Sequence, residues 1–176
     1  HAFMNIEVIS HLKQQLTLPL PGAFAHKVMA PAHRLSSEEY LKSAKNYRKG
    51  SVLILLYEQN NALNFVLTLR QSYAGVHSGQ VSLPGGKIEE KDAHPIAAAL
   101  RETEEEIGVA ASQIEVLGEL SQLYIFPSNF LVHPVVGFSP FLPSFKKDEK
   151  EVAEIIFVNM NDLHQNELRQ HKFMDL

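Results

Sequence analysis

From residue 85 the chain reads Gly85-Gly86-Lys87-Ile88-Glu89-Glu90-Lys91-Asp92-Ala93-His94-Pro95-Ile96-Ala97-Ala98-Ala99-Leu100-Arg101-Glu102-Thr103-Glu104-Glu105-Glu106-Ile107-Gly108-Val109. The second half of this stretch has the pattern of an amphipathic helix. Ile96, Leu100, Thr103 and Ile107 recur at i, i+4, i+7 and i+11, which makes a stripe for a core. Glu102, Glu105 and Glu106 fall at i, i+3 and i+4, so they share another face. Carboxylates crowded on one face repel each other, and a cation removes that penalty. Hard divalent ions take oxygen ligands, typically a few carboxylates with waters and substrate phosphates. The plainer reading, a solvated acidic surface, does not account for the core stripe or for the marked ends. Asp92 or His94 can cap the start, Pro95 suits the first turn and Gly108 suits the position after the last. Leu83-Pro84-Gly85-Gly86 reads as a tight turn that lets backbone approach a ligand. The helix is therefore expected to be a metal platform for a phosphorylated substrate.

Gly86, Asp92 and Arg101-Glu102-Thr103-x-Glu105-Glu106-x-Gly108-Val109 together resemble the Nudix box, Gly-x5-Glu-x7-Arg-Glu-U-x-Glu-Glu-x-Gly-U, where U is bulky and apolar. The Glu of the pattern is Asp92 here, one residue is inserted before Arg101, and Thr103 stands at an apolar position. The Arg-Glu-x-x-Glu-Glu-x-Gly core is intact. The resemblance implies an α/β/α sandwich with a mixed sheet that hydrolyses nucleoside diphosphates linked to another moiety. It implies Mg²⁺ or Mn²⁺ held by Glu102, Glu105 and Glu106, often joined by the Gly86 carbonyl. Arg101 would orient the carboxylates.

Upstream, the run Val66-Leu67-Thr68-Leu69-Arg70-Gln71-Ser72-Tyr73-Ala74-Gly75-Val76-His77-Ser78-Gly79-Gln80-Val81-Ser82-Leu83-Pro84-Gly85-Gly86 is similar to the signature of the coenzyme A diphosphatase branch of that family. Thr68, Arg70, Gly79, Pro84, Gly85 and Gly86 match in register. Gly75 replaces a second Arg, Gln71 a Ser or Ala, and Leu83 a Phe. The leading segment Leu20-Pro21-Gly22-x-x-Ala25-x-x-x-Met29-Ala30-Pro31 and the box insertion also occur in that branch. An Arg fork suits phosphate, so Arg70 is a candidate substrate contact. Gly85 and Gly86 are candidate substrate-binding backbone. His77 is a candidate base or phosphate donor, set against the commoner solvated loop His. Glu151, in Asp148-Glu149-Lys150-Glu151, is read as part of a charged loop. Tyr124, Phe126 and Phe130 are set between base stacking and the commoner core packing.

At 176 residues the chain is long enough for one domain with a real core. Residues 1–3 read as additions ahead of a native Met4, and a single domain is expected over 4–176, its C-terminal end truncated or merely short. There are no cysteines, which excludes disulfides and thiolate metal sites. A net charge of −4 argues against a nucleic-acid surface driven by bulk electrostatics. No apolar run reaches membrane-spanning length and no signal peptide is visible. The expectation is a cytoplasmic enzyme with a small-molecule nucleoside diphosphate substrate and neither nucleic acid nor membrane as partner; a homodimer stays open.

Apolar spacing at Ile6, Ile9, Leu12 and Leu16 predicts a first helix over residues 5–16. Leu20-Pro21-Gly22 breaks it, and an ordered loop is expected up to Arg34. A short helix with Ser36 or Ser37 as cap is expected over 36–43. Residues 50–57 and 64–69 read as a hairpin about Asn60-Asn61. Residues 70–82 read as loop, and strands are expected over 114–120, 129–138 and 154–158. A polar helix is expected over 161–171. Interleaved helices and strands with a hairpin favour a mixed sheet covered by helices.

The expected chemistry is metal-assisted hydrolysis of a pyrophosphate. Glu102 and Glu106 are committed as ligands and Glu105 is the candidate base. Coenzyme A or an acyl derivative is the first-choice substrate, giving 4′-phosphopantetheine and adenosine 3′,5′-bisphosphate. The alternatives are another substrate such as ADP-ribose, a nucleotide-binding sensor without turnover, and an interaction protein with an acidic helix.

Overall fold

The computed structural model describes residues 2–28, 30, 35–71, 79–165 and 167. The long apolar run of the sequence becomes strand β1, Arg48–Gln59. Asn60 and Asn61 both take positive φ, 55° and 60°. That is the backbone of a two-residue turn matched to strand twist, and it returns the chain as β2, Ala62–Arg70. Gln59 faces Ala62 across the turn.

β1 organises everything around it. It runs parallel to β7, Phe130–Ser139, and antiparallel to β2 and to the short β4, Gly85–Lys87. β2 pairs in turn with β3, Val81–Ser82, and with β8, Val152–Asn159. β5, Glu115–Glu119, and β6, Leu123–Ile125, pair with β7. The sheet is therefore mixed, as expected.

Side chains alternate between faces of a strand, and β1 is apolar on both. Leu53, Leu55 and Tyr57 join Val66, Val135, Ala99 and Ile107 in one core. Ala99 and Ile107 belong to helix α4, Pro95–Ile107. Leu56 joins Phe65, Leu117, Val136 and Ile9 in a second core on the other face. Ile9 belongs to helix α1, Ala2–Gln15, whose Leu12 and the following Leu16 pack beside it. The layers are helix, sheet, helix.

Three sequence expectations change, and one strand forms where none was assigned. Residues expected as loop after Gly22 include a helix, α2, Ala23–Val28. Val81 and Ser82, read as loop, pair with Leu69 and Thr68. Leu123–Ile125 is a strand because β7 offers it an edge. The helix expected over 161–171 is, where described, a 3-10 turn over Met160–His164. Helix α3, Ser37–Ser43, forms as expected, with Ser36 and Glu39 making reciprocal cap bonds. No described helix is long and apolar enough to cross a membrane.

Candidate active site

α4 is held at both ends. His94, not Asp92, is its cap: Nδ1 accepts from the Ala97 N–H at 3.1 Å. Gly108 ends it at φ 73°. Thr103, at the apolar position of the box, is buried and donates to the Ala99 carbonyl at 2.7 Å. Its hydroxyl is satisfied by its own helix, so the departure costs the core little.

The three glutamates do not share one solvated face. Glu106 is 3% exposed, packed toward the sheet. Its Oε2 accepts from the Gly85 N–H at 3.1 Å. Burial pushes its pKa up to about 7, against the Gly85 hydrogen bond and the charge of Arg70, while Glu102 and Glu151 push it further up. Glu102 is largely buried, and desolvation raises its pKa too; Arg101 opposes that shift, and Glu105 and Glu151 add to it. Glu105 stands at the rim, its side chain 54% exposed.

Arg101 ties the group together. Nη1 donates to Glu102 Oε1 and to Glu105 Oε2, each at 2.9 Å. Nε and Nη2 grip both oxygens of Asp92 at 2.9 and 3.0 Å, and Nη2 reaches the Lys87 carbonyl at 3.2 Å. This fork holds the Asp92 carboxyl at a pKa of about 2. Asp92 is thus the brace of Arg101.

The glycine pair admits this closeness. Gly85 has φ 149°, and a Cβ there would stand 2.3 Å from the Ser51 carbonyl. A Cβ on Gly86 would stand 2.6 Å from the carboxylate of Glu102. Backbone and carboxylate can be neighbours only if position 86 has no side chain.

Arg70 ends β2, and its charge acts on Glu106 although it forms no ion pair among the described residues. His77 and Gly75 lie outside the described residues. Glu151 stands exposed in the turn before β8, as the charged-loop reading expects, and its charge adds to the raised pKa of both Glu102 and Glu106. The segment before it closes the end of α4: the N–H groups of Lys146 and Asp148 bond the carbonyls of Ile107 and Glu106 at 2.9 Å. No local pattern announces that contact. Tyr124 is 4% exposed, donates to Asn129 Oδ1 and packs against Tyr40, so it serves the core. The Phe130 ring lies under the Arg48 guanidinium at 4.4 Å. Phe126 stacks on Tyr40 and is largely exposed.

As placed here, no three acidic or imidazole groups among the described residues gather tightly enough to hold an ion. The donor chemistry nevertheless fits a hard divalent cation. The donors are all oxygens, and the proton affinities of Glu102 and Glu106 are raised by burial beside like charge. A cation relieves that situation.

A mixed sheet between helices, with an arginine-braced acidic helix against a glycine-rich strand, defines the class. The chain belongs to the NUDIX domain family, whose model matches residues 47–176. An uncharacterized Nudix hydrolase, NudL, of Yersinia enterocolitica is 44% identical over 88 residues, 50% of this chain and 45% of that protein. Its Escherichia coli K12 counterpart is 37% identical over 110 residues, 62% of this chain and 56% of that protein. The chain thus spans about half the length of these curated relatives. Among solved structures, a Caenorhabditis elegans Ap4A hydrolase binary complex superposes with TM-score 0.56 at 18% identity, over 66% of this chain and 82% of that one. The NUDIX domain of Shewanella oneidensis NrtR, complexed with ADP ribose, gives 0.52 at 20%, over 74% and 87%. These structural likenesses speak to the fold alone.

Proposed function

We propose that this chain is a metal-dependent pyrophosphohydrolase, and that its substrate is coenzyme A or an acyl derivative. The observation that carries the hydrolase reading is the pair of largely buried carboxylates, Glu102 and Glu106, set against Gly85 and Gly86 with the charge of Arg70 acting on Glu106. Buried like charges are costly, and an enzyme site is where such a cost is commonly retained. The match of Thr68, Arg70, Gly79 and Pro84 through Gly86 to the upstream signature supports coenzyme A.

Glu102 and Glu106, with the Gly86 carbonyl, would hold Mg²⁺ or Mn²⁺, and Glu105 would add a ligand at the rim. The ion supplies charge neutralisation on the diphosphate and a bound water of lowered pKa. Arg101 keeps Glu102 and Glu105 oriented. Arg70 binds a non-reacting phosphate oxygen. Glu105 takes the proton of the attacking water. That water adds to one phosphorus, the bridging P–O bond breaks, and each product leaves as a phosphate monoester. Glu151 is the competing base, since its charge acts on the same carboxylates and it forms no ion pair among the described residues. The larger loss of turnover in Glu105→Gln or Glu151→Gln separates the two. A cytoplasmic location and a single domain over 4–176 belong to the same proposal.

The deciding experiment incubates the protein with coenzyme A and, separately, ADP-ribose in Mg²⁺ or Mn²⁺, with products identified by mass spectrometry. Phosphopantetheine and adenosine 3′,5′-bisphosphate are expected. Cleavage of ADP-ribose alone would discard the substrate and keep the chemistry. Binding of nucleotide without turnover would favour a sensor.

A further inference from the structure

His133 lies in line with the site but takes no part in the mechanism above. On β1, Ser51 is in register with Gly86 of β4 on one side and with His133 of β7 on the other. Residues in register on neighbouring strands point to the same face of a sheet. For Gly86 that face is the one bearing Glu102, since a Cβ there would meet its carboxylate. Val135, two residues beyond His133 on the same strand face, packs in the core under α4 and confirms the orientation. The imidazole therefore stands on the Glu102 face, two strand spacings or about 10 Å from Gly86. That is the reach of one sugar ring and base, or of a pantoyl unit, extending from a diphosphate.

The tautomer of His133 is set by its neighbour. Gln122 Nε2 lies 3.3 Å from His133 Nδ1. An amide nitrogen only donates, so Nδ1 accepts and the proton sits on Nε2. Burial lowers the pKa of the ring and keeps it neutral, opposed by the charge of Glu119 and aided by that of Lys49. Nε2 is shut from solvent and has no hydrogen-bond partner among the described residues. An orphaned buried donor of this kind calls for an acceptor. The ring as a whole is only half-buried, and its Cβ–Cγ torsion is soft. A turn about that torsion would bring Nε2 toward a ligand lying on this face.

Resting on the hydrolase reading, we propose that His133 Nε2–H donates to an oxygen or nitrogen acceptor on the part of the substrate beyond the cleaved diphosphate. His133 is then a specificity residue, and Gln122 positions it by holding its tautomer.

The test compares His133→Leu, His133→Gln, Gln122→Leu and Gln122→Glu with the unchanged chain, using coenzyme A and ADP-ribose with Mg²⁺. For whichever probe is cleaved, His133→Leu should raise KM about ten-fold with kcat within about two-fold, and His133→Gln, which keeps a donor, should recover part of the loss. Gln122→Glu turns the neighbour into an acceptor, moves the proton to Nδ1 and should raise KM more than Gln122→Leu does. Gln122 is exposed, so its variants decide the matter if His133→Leu fails to fold. Unchanged KM in all four variants would overturn the proposal, and so would a fall in kcat alone. If neither probe is turned over, the hydrolase reading has failed separately. Dissociation constants from calorimetry then take the place of KM: the same ten-fold weakening supports the donor, and equal or undetectable binding overturns it.

Discussion

Glu106 concentrates the residue-scale chemistry. Its carboxylate is buried, accepts one backbone hydrogen bond and has a pKa of about 7. The unfolded chain gives it an ordinary value of 4.5, so the folded protein binds the extra proton between 4.5 and about 7. Stability of the metal-free protein should therefore decline as pH rises through that window, with the whole penalty present above about 7. A divalent ion competes with the proton and cancels the penalty. The rise in Tm on adding Mg²⁺ should accordingly grow from about pH 5.5 to about pH 8, and Glu106→Gln should flatten it. The same variant should lower turnover by about a hundred-fold or more while remaining folded. A Mg²⁺ effect on Tm that is constant over this pH range, or full activity in Glu106→Gln, would remove Glu106 from the ligand set.

At the scale of the element, α4 is tied to the loop before it through Arg101 and Asp92. Four of the Arg101 hydrogen bonds go to carboxylate oxygens, two on Asp92 and one each on Glu102 and Glu105. Asp92 carries no further role visible in the site, and its Oδ2 also accepts from the Glu89 N–H at 2.8 Å. Asp92→Asn should loosen the arginine and lower kcat by about 10- to 100-fold with the helix intact by circular dichroism. An unchanged kcat would show that Glu102, Glu105 and the Lys87 carbonyl suffice to position Arg101. Because the Asp92 pKa falls from 3.8 to about 2 on folding, its contribution to stability is present above 3.8 and is lost as pH drops from there through about 2. His94 does the separate work of capping, which leaves Asp92 free to brace.

For the molecule as a whole, the sheet is covered on both faces by elements far apart in the chain. The NUDIX match begins at residue 47, yet α1 and the Leu16 that follows it supply Ile9, Leu12 and Leu16 to the second core. Removing residues 1–16 should uncover Leu56, Phe65, Leu117 and Val136 and cost on the order of 4 kcal/mol. Denaturant unfolding with and without the segment measures this, and equal midpoints would mean that α1 is not part of the stable fold. Much of this architecture was legible beforehand. The apolar run of β1, the Asn60-Asn61 turn, the stripe on α4 and the Ser36 cap are local patterns, and they formed as expected. β3, β6 and α2 escaped notice because each is short, and the two strands exist only by pairing with a neighbour.

By itself the sequence determined the acidic helix, the glycine pair in front of it and the two-sided apolar strand that forces a covered sheet. These rest on spacing, and spacing along a helix or strand follows from backbone geometry alone. Only the tertiary structure decided that Glu106 is buried while Glu105 is not, that His94 caps the helix while Asp92 holds Arg101, that the charge of Glu151 acts on Glu102 and Glu106, and that His133 shares a row with Gly86. Burial and charge proximity depend on which distant segments pack together. The loop that closes the end of α4 and the parallel pairing of β1 with β7 each join residues separated by dozens of positions, and no local periodicity encodes such a meeting.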